Sequence, residues 1–192
     1  MTQLVLASSS PYRKELLHRL RLSFDCASPD IDESPHNNES ALNLVKRLAE
    51  QKAQALAERF PNALLIGSDQ VAVINGKILG KPGNFANAFE QLTASSGNTV
   101  EFLTGLALYN SGTNRLQSHV EPYRVNFRQL SSAEIERYIK AEEPYACAGS
   151  FKSEGLGITL FESQEGADPN SLIGLPLIAL CEMLRKEGLN LP

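Results

Sequence analysis

A few basic, acidic and hydroxyl side chains stand out by where they fall in the sequence. The turn "ASSSPYR", residues 7–13, places Ser8, further hydroxyls and Arg13 where a short apolar run gives way to an amphipathic stretch. Backbone N–H groups and the dipole at a helix start favour an anion, so such a turn can hold phosphate. Capping by Ser9 or Ser10, with Pro11 at the first helical position, explains part of the pattern without a ligand. It does not explain Arg13.

Lys52 lies in "LAEQKAQ", within the apolar arc that Ala41, Leu44, Val45, Leu48 and Leu56 form at helical spacing. A lysine there must be paired, face a cleft, or snorkel its head past its neighbours. Burying it unpaired would cost several kcal/mol. Asp69 directly follows "ALLIGS", at the expected C-terminal end of a strand, where ligands collect in open α/β sheets. It could hold a metal, activate a water, or simply form a turn. Lys81, between Gly80 and Pro82, has a well-defined backbone and is otherwise an ordinary loop cation. The loop "DIDE" adds Asp30, Asp32 and Glu33, oxygen donors of the kind that suit Mg²⁺, although acidic loops also serve as plain solvated surface.

Several machineries are missing. There is no GxxxxGK[ST] loop, no GxGxxG after the first apolar run, no GxSxG and no HExxH. The three cysteines, Cys26, Cys147 and Cys181, form no CxxC pair, and His18, His36 and His119 have no ligand-spaced neighbour.

The elements that must position these residues can be read from periodicity. Strand 3–7, helix 11–21 and strand 23–27 precede a polar loop, 28–38, and a helix over about 39–59. "NALLIGSD" reads as a buried strand and "QVAVINGKIL" as a hairpin turning at Asn75-Gly76. Helix 84–95, long strands 98–110 and 115–130 joined by "SGTN", helix 131–141, a Gly-rich segment 148–157 and a helix over about 175–187 complete the pattern. The expected class is mixed α/β, with 1–192 as a single domain.

With 192 residues and 42% hydrophobic content the chain can bury a real core, as one domain with or without two lobes around a cleft. A net charge of −4 without a basic tract argues against binding duplex nucleic acid, so an anionic ligand must be held by a few placed cations. No apolar run approaches the roughly 20 residues of a membrane span, and no signal peptide is visible. A cytoplasmic, reduced protein is the expectation.

In order and spacing, "LASSSPYRKELL", "DIDE", "LAEQKAQ", "IGSDQVAVINGKILGKP" and "AGSFKSEGLG" resemble the Maf family of nucleoside triphosphate pyrophosphatases, historically linked to septum formation. The resemblance covers nearly the whole chain. It implies a mixed twisted sheet with flanking helices, like inosine triphosphate pyrophosphatases (Ham1-like), with two lobes around a cleft. It also implies a divalent cation, Mg²⁺ or Mn²⁺, a homodimer and a cytoplasmic location. Ser8 and Arg13 fall on the family's phosphate-binding motif, Glu33 on its acidic loop, Lys52 on its helix lysine, Asp69 on its proton acceptor and Lys81 on its loop lysine. Glu33 and Asp69 would hold the metal.

Many family members that act on canonical pyrimidine triphosphates carry Arg-Arg, Asp-Thr and Gln where this chain has Tyr12-Arg13, Asp69-Gln70 and Glu154. That triple change looks like the subfamily acting on 7-methyl-GTP. Methylation at N7 makes guanine cationic, and the Tyr12 face would attract a cation by roughly 0.5–2 kcal/mol. Glu154 could accept from the guanine N1–H and N2–H groups in charge-assisted hydrogen bonds. Gln70 would add a directional contact or position Asp69. The expected products are 7-methyl-GMP and pyrophosphate. The competing expectations are a pyrophosphatase for dTTP and UTP, and a nucleotide-binding regulator of cell division with little turnover.

Overall fold

A computed structural model describes residues 2–192, which form two compact units threaded by the same three long strands. The first unit takes the chain up to Asp69, then Thr104–Glu121 and Asp168–Pro192; the second takes Gln70–Leu103 and Pro122–Ala167. The strands β1 (Gln3–Ala7), β2 (Asp25–Ala27), β3 (Ala63–Ile74), β4 (Lys77–Leu79), β5 (Thr99–Asn110), β6 (Arg115–Phe127) and β7 (Phe161–Gly166) make one seven-stranded sheet. Its order is β2-β1-β3-β5-β6-β7, with β4 paired to β3. β1 runs parallel to β2 and β3, whereas β4 and β7 pair antiparallel with β3 and β6. This is the expected mixed α/β class.

In the first unit the sheet is covered on both faces. Leu4, Leu6, Leu64, Ile66, Leu106 and Leu108 point one way, onto α1 (Pro11–His18) and α6 (Leu177–Lys186). Val5, Ala7, Ala63, Leu65 and Ala107 point the other way, onto α2 (Ala41–Gln54). Alternation sends successive side chains to opposite faces, and burial of both faces makes the strands read as continuous apolar runs. α2 lies unusually close. A Cβ on Gly67 would stand 2.0 Å from the Ala49 carbonyl oxygen, and one on Gly105 would stand 2.1 Å from that of Val45.

The second unit packs α3 (Phe85–Ser95) and α4 (Ser132–Glu142) with an edge-to-face cluster of Phe102, Phe127, Phe151 and Phe161. α4 opens with a reciprocal capping box between Ser131 and Glu134. The hairpin between β3 and β4 turns at Asn75 and Gly76, both at positive φ, as the Asn-Gly pair foretold.

The elements differ from the sequence expectation in several places. α1 stops at His18 and α2 at Gln54, because Leu20, Leu22 and Leu56 keep packing on the core from turns after the helices end. β7 was read as part of no element; its residues "FESQEG" are exposed along most of an edge strand and carry no alternation. α5 (Pro169–Ile173) is a short helix capped by Asp168. A further difference concerns Asp69. It does not end a strand but sits inside β3, which continues unbroken through Ile74.

Candidate active site

Lys52 is the centre of the acidic and basic residues of the first unit. Its Nζ lies 2.7 Å from Asp69 Oδ1 and 2.8 Å from Glu33 Oε1. The Lys52 side chain is 8% exposed and that of Asp69 is 12%, so this ammonium is paired and does not snorkel. The close approach of α2 at Gly67 and Gly105 is what carries Lys52 down to the sheet beside Asp69. Breaking a buried pair of this kind by removing one partner commonly costs about 3–5 kcal/mol, since a buried charge is left behind. Glu33 is 59% exposed and approaches from the loop instead.

That loop is fastened to α2 by Arg47. Its Nε and Nη2 donate to the two carboxylate oxygens of Glu39 at 2.7 Å each, its Nη2 also to the Ser34 carbonyl, and its Nη1 to Gln51. The Arg47 hydrogen bond, helped by the His36 N–H, holds the Glu39 carboxyl down at about 2. Ser34 adjoins Glu33, so the clamp fixes the backbone that presents Glu33 to Lys52.

Arg13 is half-buried on the first turn of α1, whose N-cap is Ser10. Its Nε donates to the Gly174 carbonyl at 2.9 Å. That carbonyl also receives the Ser68 hydroxyl, which is fully buried and within 2.8 Å of the Gly105 carbonyl as well. Gly174 has φ +121°, a backbone conformation that residues with a side chain rarely adopt. The Arg13 Nε is thus committed within the protein. Burial pushes the Arg13 pKa below its ordinary value, while the carboxylates of Asp69 and Glu33 act in the opposite direction. It remains a cation at neutral pH. Ser8 is buried on the turn before α1, where its Oγ accepts from the Ser10 N–H. Tyr12 is half-buried beside Arg13.

The other expected residues belong to the second unit. Gln70 follows Asp69 in β3 and is half-buried. Lys81 is exposed on a loop whose backbone is held tightly: Gln91 and Asn87 donate to the carbonyls of Gly80 and Pro82, and the Gly83 N–H donates to the Tyr145 carbonyl. Glu154 is exposed on the loop after Phe151, with its carboxylate 3.3 Å from the Ser153 hydroxyl. The first unit thus gathers Ser8, Tyr12, Arg13, Glu33, Lys52 and Asp69, and Gln70, Lys81 and Glu154 are held by the second.

The donor set fits a hard divalent cation. Glu33 and Asp69 supply carboxylate oxygens on either side of one ammonium, and no group of three His, Cys, Asp or Glu among the described residues could enclose an ion alone. Mg²⁺ is usually held in that way, by one or two carboxylates and completed by substrate phosphates and water. Asp30 and Asp32 do not join Lys52; the Asp32 carboxylate accepts from the Ser34 N–H. Sequence reasoning missed Arg47, Ser68 and Gly174, which carry no motif and act through contacts distant in the chain. No helix among the described residues is long and apolar enough to cross a membrane.

The family description "Maf-like protein" matches residues 3–187. A protein of Pseudomonas savastanoi pv. phaseolicola named "7-methyl-GTP pyrophosphatase" is 62% identical over 192 residues, covering the whole of both chains. The solved structure of a HAM1 protein from Coxiella burnetii matches 97% of this chain and 100% of its own, at 14% identity and a TM-score of 0.51. That last likeness concerns the fold.

Proposed function

The chain belongs to the Maf family, and we propose that it is a nucleoside triphosphate pyrophosphatase that converts 7-methyl-GTP and water to 7-methyl-GMP and pyrophosphate. The observation that carries the reading is the charge arrangement at Lys52. A buried ammonium is bracketed by Glu33 and Asp69, near an Arg13 guanidinium that the Gly174 carbonyl holds by its Nε. A bidentate guanidinium suits phosphate oxygens. The full-length relative supports the substrate.

Arg13, Lys52 and Lys81 neutralise the triphosphate oxygens, and Ser8 donates a hydrogen bond to one of them. Asp69 accepts a proton from the water that attacks the α-phosphorus. The bond from that phosphorus to the bridging oxygen breaks, and pyrophosphate leaves with the electron pair. Positioning and charge stabilisation supply most of the rate. Glu33 and Asp69, with phosphate oxygens, would hold a Mg²⁺ or Mn²⁺ ion, whose contribution when bound is further neutralisation of the phosphate charge. Tyr12 and Glu154 read the cationic base and Gln70 orients Asp69. The same proposal takes residues 1–192 as one functional domain of a cytoplasmic homodimer with no nucleic-acid or membrane partner.

Pyrophosphate release with Mg²⁺, measured separately on 7-methyl-GTP, GTP, dTTP, UTP and CTP, tests the reading. Preference for 7-methyl-GTP is the expected result, and equal or better use of dTTP or UTP would void the cation argument. Asp69→Asn should lower kcat by about 10²–10⁴-fold with a native circular dichroism spectrum, the range for loss of a general base.

A further inference from the structure

The Glu154 loop is braced from α4 in a way that the substrate reading does not use. Tyr138 and Glu142 lie one turn apart on α4 and so share a face. The Tyr138 hydroxyl accepts from the Lys152 N–H at 2.9 Å, and Glu142 Oε1 accepts from the Leu156 N–H at 2.8 Å. Those amides stand two positions before and two positions after Glu154. Four residues along the helix are thus matched to four residues along the loop, with Glu154 midway between the two attachments. Lys152 closes the frame: its Nζ donates to the Glu142 carbonyl at 2.6 Å and lies 3.6 Å from Glu142 Oε2.

The loop's glycines are explained by the same frame. A Cβ on Gly155 would stand 2.6 Å from Glu142 Oε1, and one on Gly157 would stand 2.3 Å from the Lys152 carbonyl oxygen. That carbonyl accepts from both glycine N–H groups, at 3.2 and 3.1 Å. Tyr138 is 5% exposed and the Glu142 side chain 17%, so the brace is sheltered from water while Glu154 itself is exposed. A carboxylate that must meet two donors on one base edge gains most from a backbone that does not need ordering on binding.

We propose that Glu142, with Tyr138, is a positioning residue for base selection: it presets the backbone from which Glu154 reads the methylated guanine. This rests on the substrate reading above. Glu142 does not touch the substrate, and its removal acts through the loop.

The test compares kcat/KM on 7-methyl-GTP and on GTP for the unsubstituted protein and for Glu142→Ala, Glu142→Gln and Tyr138→Phe. Loss of one sheltered hydrogen bond predicts that Glu142→Ala lowers the 7-methyl-GTP to GTP ratio about tenfold, mainly through KM for 7-methyl-GTP. Glu142→Gln keeps an acceptor for the Leu156 N–H and should restore most of the ratio. Tyr138→Phe keeps the ring and loses only the acceptor, so it serves even where Glu142→Ala fails to fold, and it should lower the ratio in the same direction. A ratio unmoved in Tyr138→Phe and in folded Glu142→Ala overturns the brace. If the unsubstituted protein itself shows no preference for 7-methyl-GTP, the substrate reading falls, and the inference with it.

Discussion

A single lysine shows how residue types become a site. Lys52 falls on the apolar arc of α2, and position alone left pairing, cleft exposure and snorkelling open. The ion pairs to Asp69 and Glu33 decide between them. Arg13, Lys52 and Asp69 stood out because their types conflict with their surroundings, as charges beside apolar runs or in a capping turn, whereas Glu33 lies in an acidic loop and was singled out as an oxygen donor and by the family resemblance. Arg47 was not, since an arginine on a helix surface looks like any other until Glu39 and Ser34 fold against it. Its effect can be read by pH. The Arg47 hydrogen bond holds the Glu39 carboxyl down from 4.5 to about 2. A depressed carboxylate contributes above its unfolded pKa and loses that contribution as pH falls through its folded one. The clamp therefore weakens only as pH drops from about 4.5 towards 2. A carboxyl-carbon NMR titration should place the Glu39 midpoint near 2 in the native protein and back towards 4.5 in Arg47→Ala. An unchanged midpoint in the variant would remove Arg47 as the cause.

At the scale of elements, α2 and β3 carry the most information. Periodicity found both, yet it ended β3 at Asp69 because a buried polar residue usually marks a strand end. The strand continues because Lys52 satisfies that aspartate from α2 and makes its burial tolerable. Helix ends were overextended for a related reason: apolar spacing records what faces the core, and turns after a helix can face it too. The glycines under α2 set how near Lys52 comes to the sheet. Gly105→Ala would press a methyl group against the Val45 carbonyl, a backbone atom that cannot swing away. A loss of about 2 kcal/mol in urea unfolding is expected, the middle of the range for overpacked cores. Activity should fall further than stability predicts, because the shift displaces Lys52. Full activity with native stability would mean that the helix spacing is slack.

For the whole molecule, the net charge of −4 leaves no broad positive field to attract a triphosphate, so its binding falls to a few cations. Asp69→Asn offers a way to see binding without turnover. With Mg²⁺ present, 7-methyl-GTP at about 100 times its dissociation constant should stabilise that variant by about 2.7 kcal/mol, and GTP at the same concentration by less. Thermal shift of the folded protein reads this directly; equal shifts for the two nucleotides would show that the base is not distinguished. The α/β class and its mixed sheet were legible from alternating periodicities. Periodicity did not mark the two-unit division, because β3, β5 and β6 each run from one unit into the other without a break in pattern; two lobes were expected through the family resemblance.

The Gly174 carbonyl that orients Arg13 comes 161 positions later in the chain. Synthesis delivers the Arg13 turn well before its anchor. A nascent chain thus carries an arginine without that acceptor until Gly174 has been added. Products of premature termination before Gly174 would keep every charged residue proposed for catalysis and still lack the acceptor that aims Arg13. Arg13 is in this way aimed only in a chain that has reached Gly174.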